Sequence, residues 1–276
     1  MTIAVSGVTG GLGGQVARAL ADAGIAQRLL ARSPEKAPSL PEATVERFDY
    51  SDRSGCEAAL RGVDTLLFVS GAENEHRLQQ HRTVVEAAAA AGVRQVVYTS
   101  FVGASPTCTF TLGRDHYATE QAIEASGMAH TFLRDNFYMD LLPYFVGDDG
   151  TLRGPAGTGR AAFVSRADIA RVATVVLQDP TAHAGRTYDL TGPEALTLAD
   201  VANQLTMSRG RAVSFVDETV PEAYASRAHY GAPDWQVDAW VSTYTAIRDG
   251  ELEDVSDDIE RLTGRRATSF AELLAG

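Results

Sequence analysis

Gly7, Gly10 and Gly13 recur at three-residue intervals in Ser6-Gly7-Val8-Thr9-Gly10-Gly11-Leu12-Gly13-Gly14. Residues without a side chain at this spacing let main chain approach a phosphate. Gly7 permits a tight turn, Gly10 lets backbone reach a pyrophosphate, and Gly13 lets a following helix lie close to the preceding strand. Thr9, Gly11 and Leu12 complete the turn. The helix N-terminus would offer unpaired N–H groups and a positive dipole end to the phosphates. The spacing is G-x-x-G-x-x-G rather than the commoner G-x-G-x-x-G, so its context decides its meaning. Before it stands the short apolar run Ile3-Ala4-Val5, and after it Leu12, Val16, Ala19 and Leu20 recur with helical period. Strand, glycine turn and helix in that order form the first half of a βαβ dinucleotide-binding unit.

Other candidates stand at the ends of later apolar runs. An NAD-specific site places an acidic residue about 20 residues beyond the glycines to bond the ribose 2′-hydroxyl. Here the chain reads Ala31-Arg32, with Lys36 a little further on. A guanidinium suits a 2′-phosphate and stacks on adenine, so NADP(H) is expected in preference to NAD(H); the bland alternative is a solvated surface arginine. Asp49-Tyr50 could meet the adenine, although Asp49 could instead cap a helix, a task for which Asp52 competes. Val69-Ser70-Gly71 and Thr99-Ser100-Phe101 would lie along the ribose and nicotinamide.

These residues need a frame. Apolar runs at 25–31, 44–48, 65–69, 93–100, 131–134, 161–164 and 186–190 read as strands. Helical patterns at 53–61, 78–91, 114–126 and 168–177 lie between them. Gly92 should stop the third of the chain's helices. Strands alternating with helices predict an α/β protein with a Rossmann-type, doubly wound parallel sheet. Ligands bind such sheets beyond the carboxyl ends of the strands. Residues 1–155 are expected to form the NAD(P)-binding domain, its sheet completed by 160–192. Residues 193–276 should form a smaller, mostly helical substrate-side part that begins with Thr197 to Met207 and has helices near 219–229, 235–248 and 268–274. The Gly- and Pro-containing stretch 141–159 reads as irregular surface or a lid.

Composition narrows the class. At 276 residues with 45% hydrophobic content the chain can bury a substantial core. A formal net charge of -12 argues against a nucleic-acid partner. Positive charge is carried by 23 arginines and a single lysine, Lys36. Two cysteines, Cys56 and Cys108, make neither a disulfide framework nor a metal site. No apolar run reaches the roughly 18 residues of a membrane span. The expectation is a cytoplasmic monomer or homodimer with no metal and no membrane partner.

The opening glycines, Arg32, Tyr98-Thr99-Ser100, His116-Tyr117-Ala118-Thr119-Glu120, Thr131-Phe132-Leu133-Arg134-Asp135-Asn136 and the tail Ser256 to Gly264 together resemble the NmrA-like atypical short-chain dehydrogenase/reductases. Within that group the chain is most similar to the branch of type 2 NADPH:quinone oxidoreductases and triphenylmethane reductases. The likeness spans nearly the whole chain and implies hydride transfer from NADP(H) to a small aromatic or quinone-like acceptor. It would place Arg134, Asn136, Phe137 and Tyr138 at the nicotinamide end. The alternative for Arg134 and Asn136 is that they pin a loop.

The wider superfamily uses a tyrosine acid with a lysine four residues later. Here Tyr117 is followed at that distance by Gln121, whose neutral amide cannot lower a phenol's pKa by charge. Tyr117 can still donate a hydrogen bond. His116 beside it would titrate near neutrality, but adjacent helical residues point about 100° apart, so the two should not share a face. Two other functional classes fit the same residues. One is an NADP-binding redox sensor without turnover; the other is a tailoring enzyme acting on an aromatic polyketide.

Overall fold

The computed structural model describes residues 1–276. β1 (Ile3–Ser6) leads through the glycine turn into α1 (Gly11–Asp22), then β2 (Gln27–Ala31) and β3 (Ala43–Arg47). Next come α2 (Arg53–Leu60), β4 (Thr65–Phe68), α3 (Arg77–Ala91), β5 (Gln95–Phe101), α4 (Thr111–Ala125) and β6 (Ala129–Asp135). Further on lie β7 (Thr151–Gly154), β8 (Arg160–Ala161), α5 (Arg166–Gln178) and β9 (Arg186–Leu190). The chain closes with β10 (Leu196–Thr197), α6 (Leu198–Arg209), β11 (Ser214–Asp217), α7 (Val220–Arg227), α8 (Asp234–Arg248), α9 (Asp258–Thr263) and α10 (Phe270–Ala275).

Seven strands form one sheet in the order β3-β2-β1-β4-β5-β6-β9. β1 pairs in parallel with both β2 and β4, and the chain changes direction across the sheet at that point. This is the doubly wound arrangement expected from the alternation of elements. β1, β4 and β5 are buried along their whole lengths, the pattern of strands covered on both faces. β3, at the edge, is mostly exposed and correspondingly polar.

The chain divides into two compact units. The first comprises Met1–Ser100, Asp115–Arg134 and Arg166–Tyr188; the second comprises Phe101–Arg114, Asp135–Ser165 and Asp189–Gly276. The first holds the sheet and α1 to α5. One part of its core joins Leu30, Phe48, Leu66, Phe68 and Tyr98 to Leu60 of α2 and to Val84 and Ala88 of α3. α1 packs against α5.

The second unit gathers the segments that leave the sheet after β5, β6 and β9. The sequence expectation places residues 101–114 and 135–155 with the first domain. Their apolar residues instead pack elsewhere: Phe101, Phe110, Met139, Leu142 and Leu152 join Val201, Leu205, Ile247 and Phe270 in a separate core. The stretch 141–159 is also more regular than expected. It contains part of a 3-10 helix, Met139–Phe145, and the strand β7, which pairs in parallel with β11.

Candidate functional site

The glycine turn sits at the carboxyl end of β1. Gly7 is left-handed, with φ 65°, and its carbonyl accepts the Gly10 N–H at 2.9 Å, closing the turn. Gly10 is the N-cap of α1 and, having no side chain, leaves the first-turn N–H groups without a capping partner. α6, α7 and α10 close theirs with reciprocal caps: Thr197 with Asp200, Thr219 with Glu222, and Ser269 with Glu272. Thr9, Gly10 and Gly11 are exposed, whereas Leu12 and Gly13 are buried. An outer lip and an inner packing face thus share one turn.

A cation stands at the same place. Arg166 opens α5, and a Cβ built on Gly11 would lie 2.5 Å from its Nη1. A guanidinium beside the positive end of a helix is an arrangement that favours a bound anion. The uncapped N–H groups, the cradle that a side chain at Gly11 would fill, and this cation fit a dinucleotide's pyrophosphate. Nothing in the local sequence around Arg166 signals the placement, because the packing of α5 on α1 creates it.

At the next strand ends, Arg32 and Lys36 are exposed beyond β2. Arg47 ends β3 directly opposite Ala31. Asp52 takes the helix cap, accepting the Gly55 N–H at 3.0 Å. Asp49 is therefore left with a local turn in which its Oδ1 accepts the Ser51 N–H.

A model of the NAD(P)H-binding family matches residues 7–180. The chain belongs to this family. Among curated proteins it is 34% identical to quinone oxidoreductase 2 of Escherichia coli over 98% of this chain and 96% of that one. The crystal structure of the E. coli NADPH-dependent quinone oxidoreductase QOR2 with NADPH superposes with a TM-score of 0.90 at 33% identity, covering 99% of this chain and 98% of that one. Triphenylmethane reductase of Citrobacter sp., complexed with NADP(H), gives a TM-score of 0.85 at 30% identity, covering 100% and 99% of the two chains. The likeness first seen in the glycine turn, Arg32 and the residues of α4 and β6 is borne out, as is the Rossmann-type fold.

In this NAD(P)H-binding chain, many residues that the sequence marks as contacts have their side chains engaged within the protein. Tyr50 closes a ring of hydrogen bonds. The Val69 N–H donates to Ser6 Oγ at 2.9 Å, the Ser6 hydroxyl and Tyr50 Oη lie 2.8 Å apart, and Tyr50 donates to the Val69 carbonyl at 2.7 Å. Shielding from water raises the Tyr50 pKa, against a smaller opposing effect of the Ser6 hydrogen bond. Thr99 Oγ1 accepts the Ser70 N–H at 2.8 Å. Ser100 donates to Glu120 Oε1 at 2.6 Å, and Arg134 grips both oxygens of that carboxylate at 2.9 and 2.7 Å.

This grip on Glu120 ties β6 to α4. In the second unit, Asn136 is buried and donates to the Leu252 carbonyl at 3.0 Å, while its Oδ1 accepts the Phe137 N–H. Phe101 and Phe137 pack with Phe110, their ring centroids about 5 Å apart, and Tyr138 donates to Asp135.

His116 does not have the environment expected of it. It is buried, and burial followed by the charge of Arg77 and the neighbouring His81 holds its pKa well below 6.5. Arg77 Nη2 donates to its Nε2 at 2.9 Å, because a guanidinium has no acceptor. The ring proton is therefore on Nδ1, facing Tyr98 Oη at 2.9 Å. The expectation that His116 titrates near neutrality is corrected: it is a neutral internal group. Tyr117, one step round α4, is only partly buried. Gln121, one turn on, is exposed and donates to Glu124 at 2.8 Å. No group of three or more His, Cys, Asp or Glu could hold a metal, and no helix is long and apolar enough to cross a membrane.

Gly10→Ala separates the outer lip from the packing face. Its backbone, φ -93° and ψ 175°, is open to alanine, and the new methyl would stand 3.3 Å from the Gly7 carbonyl oxygen, a contact that a shift of a few tenths of an ångström would relieve. Folding should survive while the methyl obstructs approach to the helix mouth. We expect calorimetry to show NADP(H) bound at least tenfold more weakly, about 1.4 kcal/mol. Unchanged affinity in a folded variant would remove Gly10 from the site.

Proposed function

We propose that the protein is an NADPH-dependent reductase that passes hydride to a small conjugated acceptor such as a quinone or a cationic dye. When bound, the dinucleotide supplies the hydride. The chain's own residues bind and orient. The glycine turn and Arg166 neutralise the pyrophosphate, Arg32 meets the 2′-phosphate, and Asp49 is available to the adenine amino group. Tyr117 is the remaining hydroxyl of the α4 motif with a partly open side chain, and it donates a hydrogen bond to the acceptor.

The observation that carries the choice of acceptor is the position of Gln121. Its amide is spent on Glu124 at the surface, and the single lysine of the chain lies beyond β2. Tyr117 therefore lacks the lysine partner of the wider superfamily. Acceptors whose reduced form is already stabilised by conjugation need the least help, and positioning then supplies most of the rate. Steady-state oxidation of NADPH with a panel comprising a benzoquinone, an enone, a triphenylmethane dye and a simple ketone tests this reading. We expect turnover with the quinone and the dye and none with the ketone. Tight NADPH binding without turnover on any acceptor would instead make the chain a sensor.

Tyr117→Phe refines the assignment. If orientation rather than proton transfer limits the rate, kcat should fall by less than the roughly 10²–10⁴-fold typical of general acid–base catalysis. A larger loss, together with disappearance of a basic limb from the pH profile, would show that Tyr117 acts as the acid unaided.

A further inference from the structure

The loop after β4 is held from beneath by two side chains one turn apart on α3. The Gly71 N–H donates to His81 Nε2 at 2.9 Å, and Arg77 Nε donates to the Gly71 carbonyl at 2.9 Å. Both side chains are buried, at 0% and 3% exposure. Because Nε2 accepts, the His81 ring carries its proton on Nδ1, which faces Thr119 Oγ1 at 2.9 Å; that hydroxyl donates in turn to the Asp115 carbonyl at 2.7 Å. Arg77 also pairs with the Asp115 carboxylate at 3.4 Å and donates to His116. The same loop touches the glycine turn, since a Cβ on Gly7 would lie 3.2 Å from Val69 Cβ. A residue at position 71 has no spare room, because a Cβ there would stand 3.3 Å from His81 Nε2 and 3.4 Å from the Tyr50 ring.

We propose that His81 is a positioning residue for the cofactor: its neutral ring, acting with Arg77, sets the height of the 69–71 loop beside the glycine turn. The proposal rests on the reading of Val69-Ser70-Gly71 as part of the cofactor path. The face of α4 that carries the recognisable His-x-x-Thr-Glu pattern then acquires a purpose. His116 and Thr119 orient the two α3 side chains, which hold the loop.

An acid dependence is the consequence. The groups around the ring are Arg77 on its own helix, Phe68 and Tyr98 on the strands, Asp115, His116 and Thr119 on α4, and Tyr50 across the loop; Glu73 lies close to Arg77. Burial, and then the charge of Arg77, depress the His81 pKa well below 6.5. The neutral ring's contribution is thus complete above that ordinary value and is lost as the pH falls through the depressed one. Protonation would remove the acceptor from the Gly71 N–H and set a second cation beside Arg77.

The test uses three variants of the full chain and NADPH dissociation constants measured between pH 8 and pH 5. His81→Leu removes the acceptor and should weaken binding about tenfold at pH 7.5. His81→Gln keeps an acceptor at similar reach without titrating. It should bind as the wild type does at pH 7.5 and lose less affinity wherever the pH falls below the depressed His81 pKa. The cofactor's 2′-phosphate titrates alike in the wild type and the glutamine variant, whereas His116 loses a neighbour that helps to depress it, so the difference between those two curves reports the His81–His116 pair. Ser70→Phe obstructs the loop itself and should also weaken binding.

If Ser70→Phe weakens binding and His81→Leu stays within twofold of the wild type, positioning by His81 is overturned while the cofactor path stands. If both bind as the wild type does, the path is wrong, and the proposal falls with it. A glutamine variant as weak as the leucine variant would also overturn it, since the acceptor would then not be what matters. Should the leucine variant fail to fold, His81→Asn takes its place, its shorter amide falling short of the Gly71 N–H: NADPH affinity within twofold of the wild type at pH 7.5 refutes the proposal.

Discussion

Gly13→Ala is expected to lower stability by on the order of 3 kcal/mol, the upper range for a methyl forced into a closed contact. A Cβ there would stand 2.5 Å from the Gly7 carbonyl oxygen and 2.6 Å from the Ser6 carbonyl oxygen. Both belong to main chain at the end of β1 and in the turn, so no side chain can swing aside. Relief requires α1 to withdraw from the strand, which disturbs its packing on α5 and opens the turn proposed to hold the phosphates. The variant should therefore lose cofactor affinity together with thermal stability, whereas Gly10→Ala should lose affinity with a much smaller change in melting temperature. Differential scanning calorimetry without cofactor checks the first half. A midpoint within about 2 °C of the wild type would show that the helix tolerates the shift.

That contrast within one motif explains which features are legible in sequence. A glycine's constraint is local: the strand that enters, the turn, and the helix that leaves all lie within the first two dozen residues. The turn and most of the sheet are therefore legible from periodicity and spacing. The contacts of Arg134 and His116 are not. Their motifs are recognisable as a pattern, but the partners are Glu120 in one case and Arg77 and Tyr98 in the other, brought together only by the sheet. A buried ion or a neutral histidine leaves no mark in hydropathy. Arg77 reads in sequence as one more polar residue at a helix start, yet it is 3% exposed and serves Gly71, Asp115 and His116.

The second unit shows the same limit at a larger scale. Asn136 bonds to the backbone at Leu252, and Thr109 bonds to the Glu251 carboxylate, across more than a hundred residues of chain in each case. A boundary drawn by composition runs with the chain, whereas this unit is collected from the loops after three strands. Helix α9 and strand β11 escape the sequence reading for a related reason. At six and four residues, they are too short for periodicity to declare them.

Cofactor choice is where a single side chain should have a large effect. β2 ends in Ala31-Arg32-Ser33-Pro34, so no carboxylate stands where one would clasp a 2′-hydroxyl or repel a 2′-phosphate. Arg32 is exposed and engaged in no ion pair with the chain's own carboxylates, so binding a phosphate would not require breaking one. Lys36 and Arg47 add positive charge nearby, both exposed and so weakened by salt. A hydrogen bond to a charged group contributes about 1.5–3 kcal/mol, so NADPH should bind roughly tenfold to a hundredfold more tightly than NADH. Arg32→Ala should remove most of that gap by weakening NADPH alone. Arg32→Asp should invert it, because a carboxylate there repels the phosphate and can accept the 2′-hydroxyl of NADH. Raising the salt concentration should narrow the wild-type ratio and leave that of the alanine variant nearly unchanged. The ratio of the two dissociation constants in the wild type and both variants decides the assignment: a wild type without preference, or an alanine variant that keeps it, would make Arg32 a surface residue.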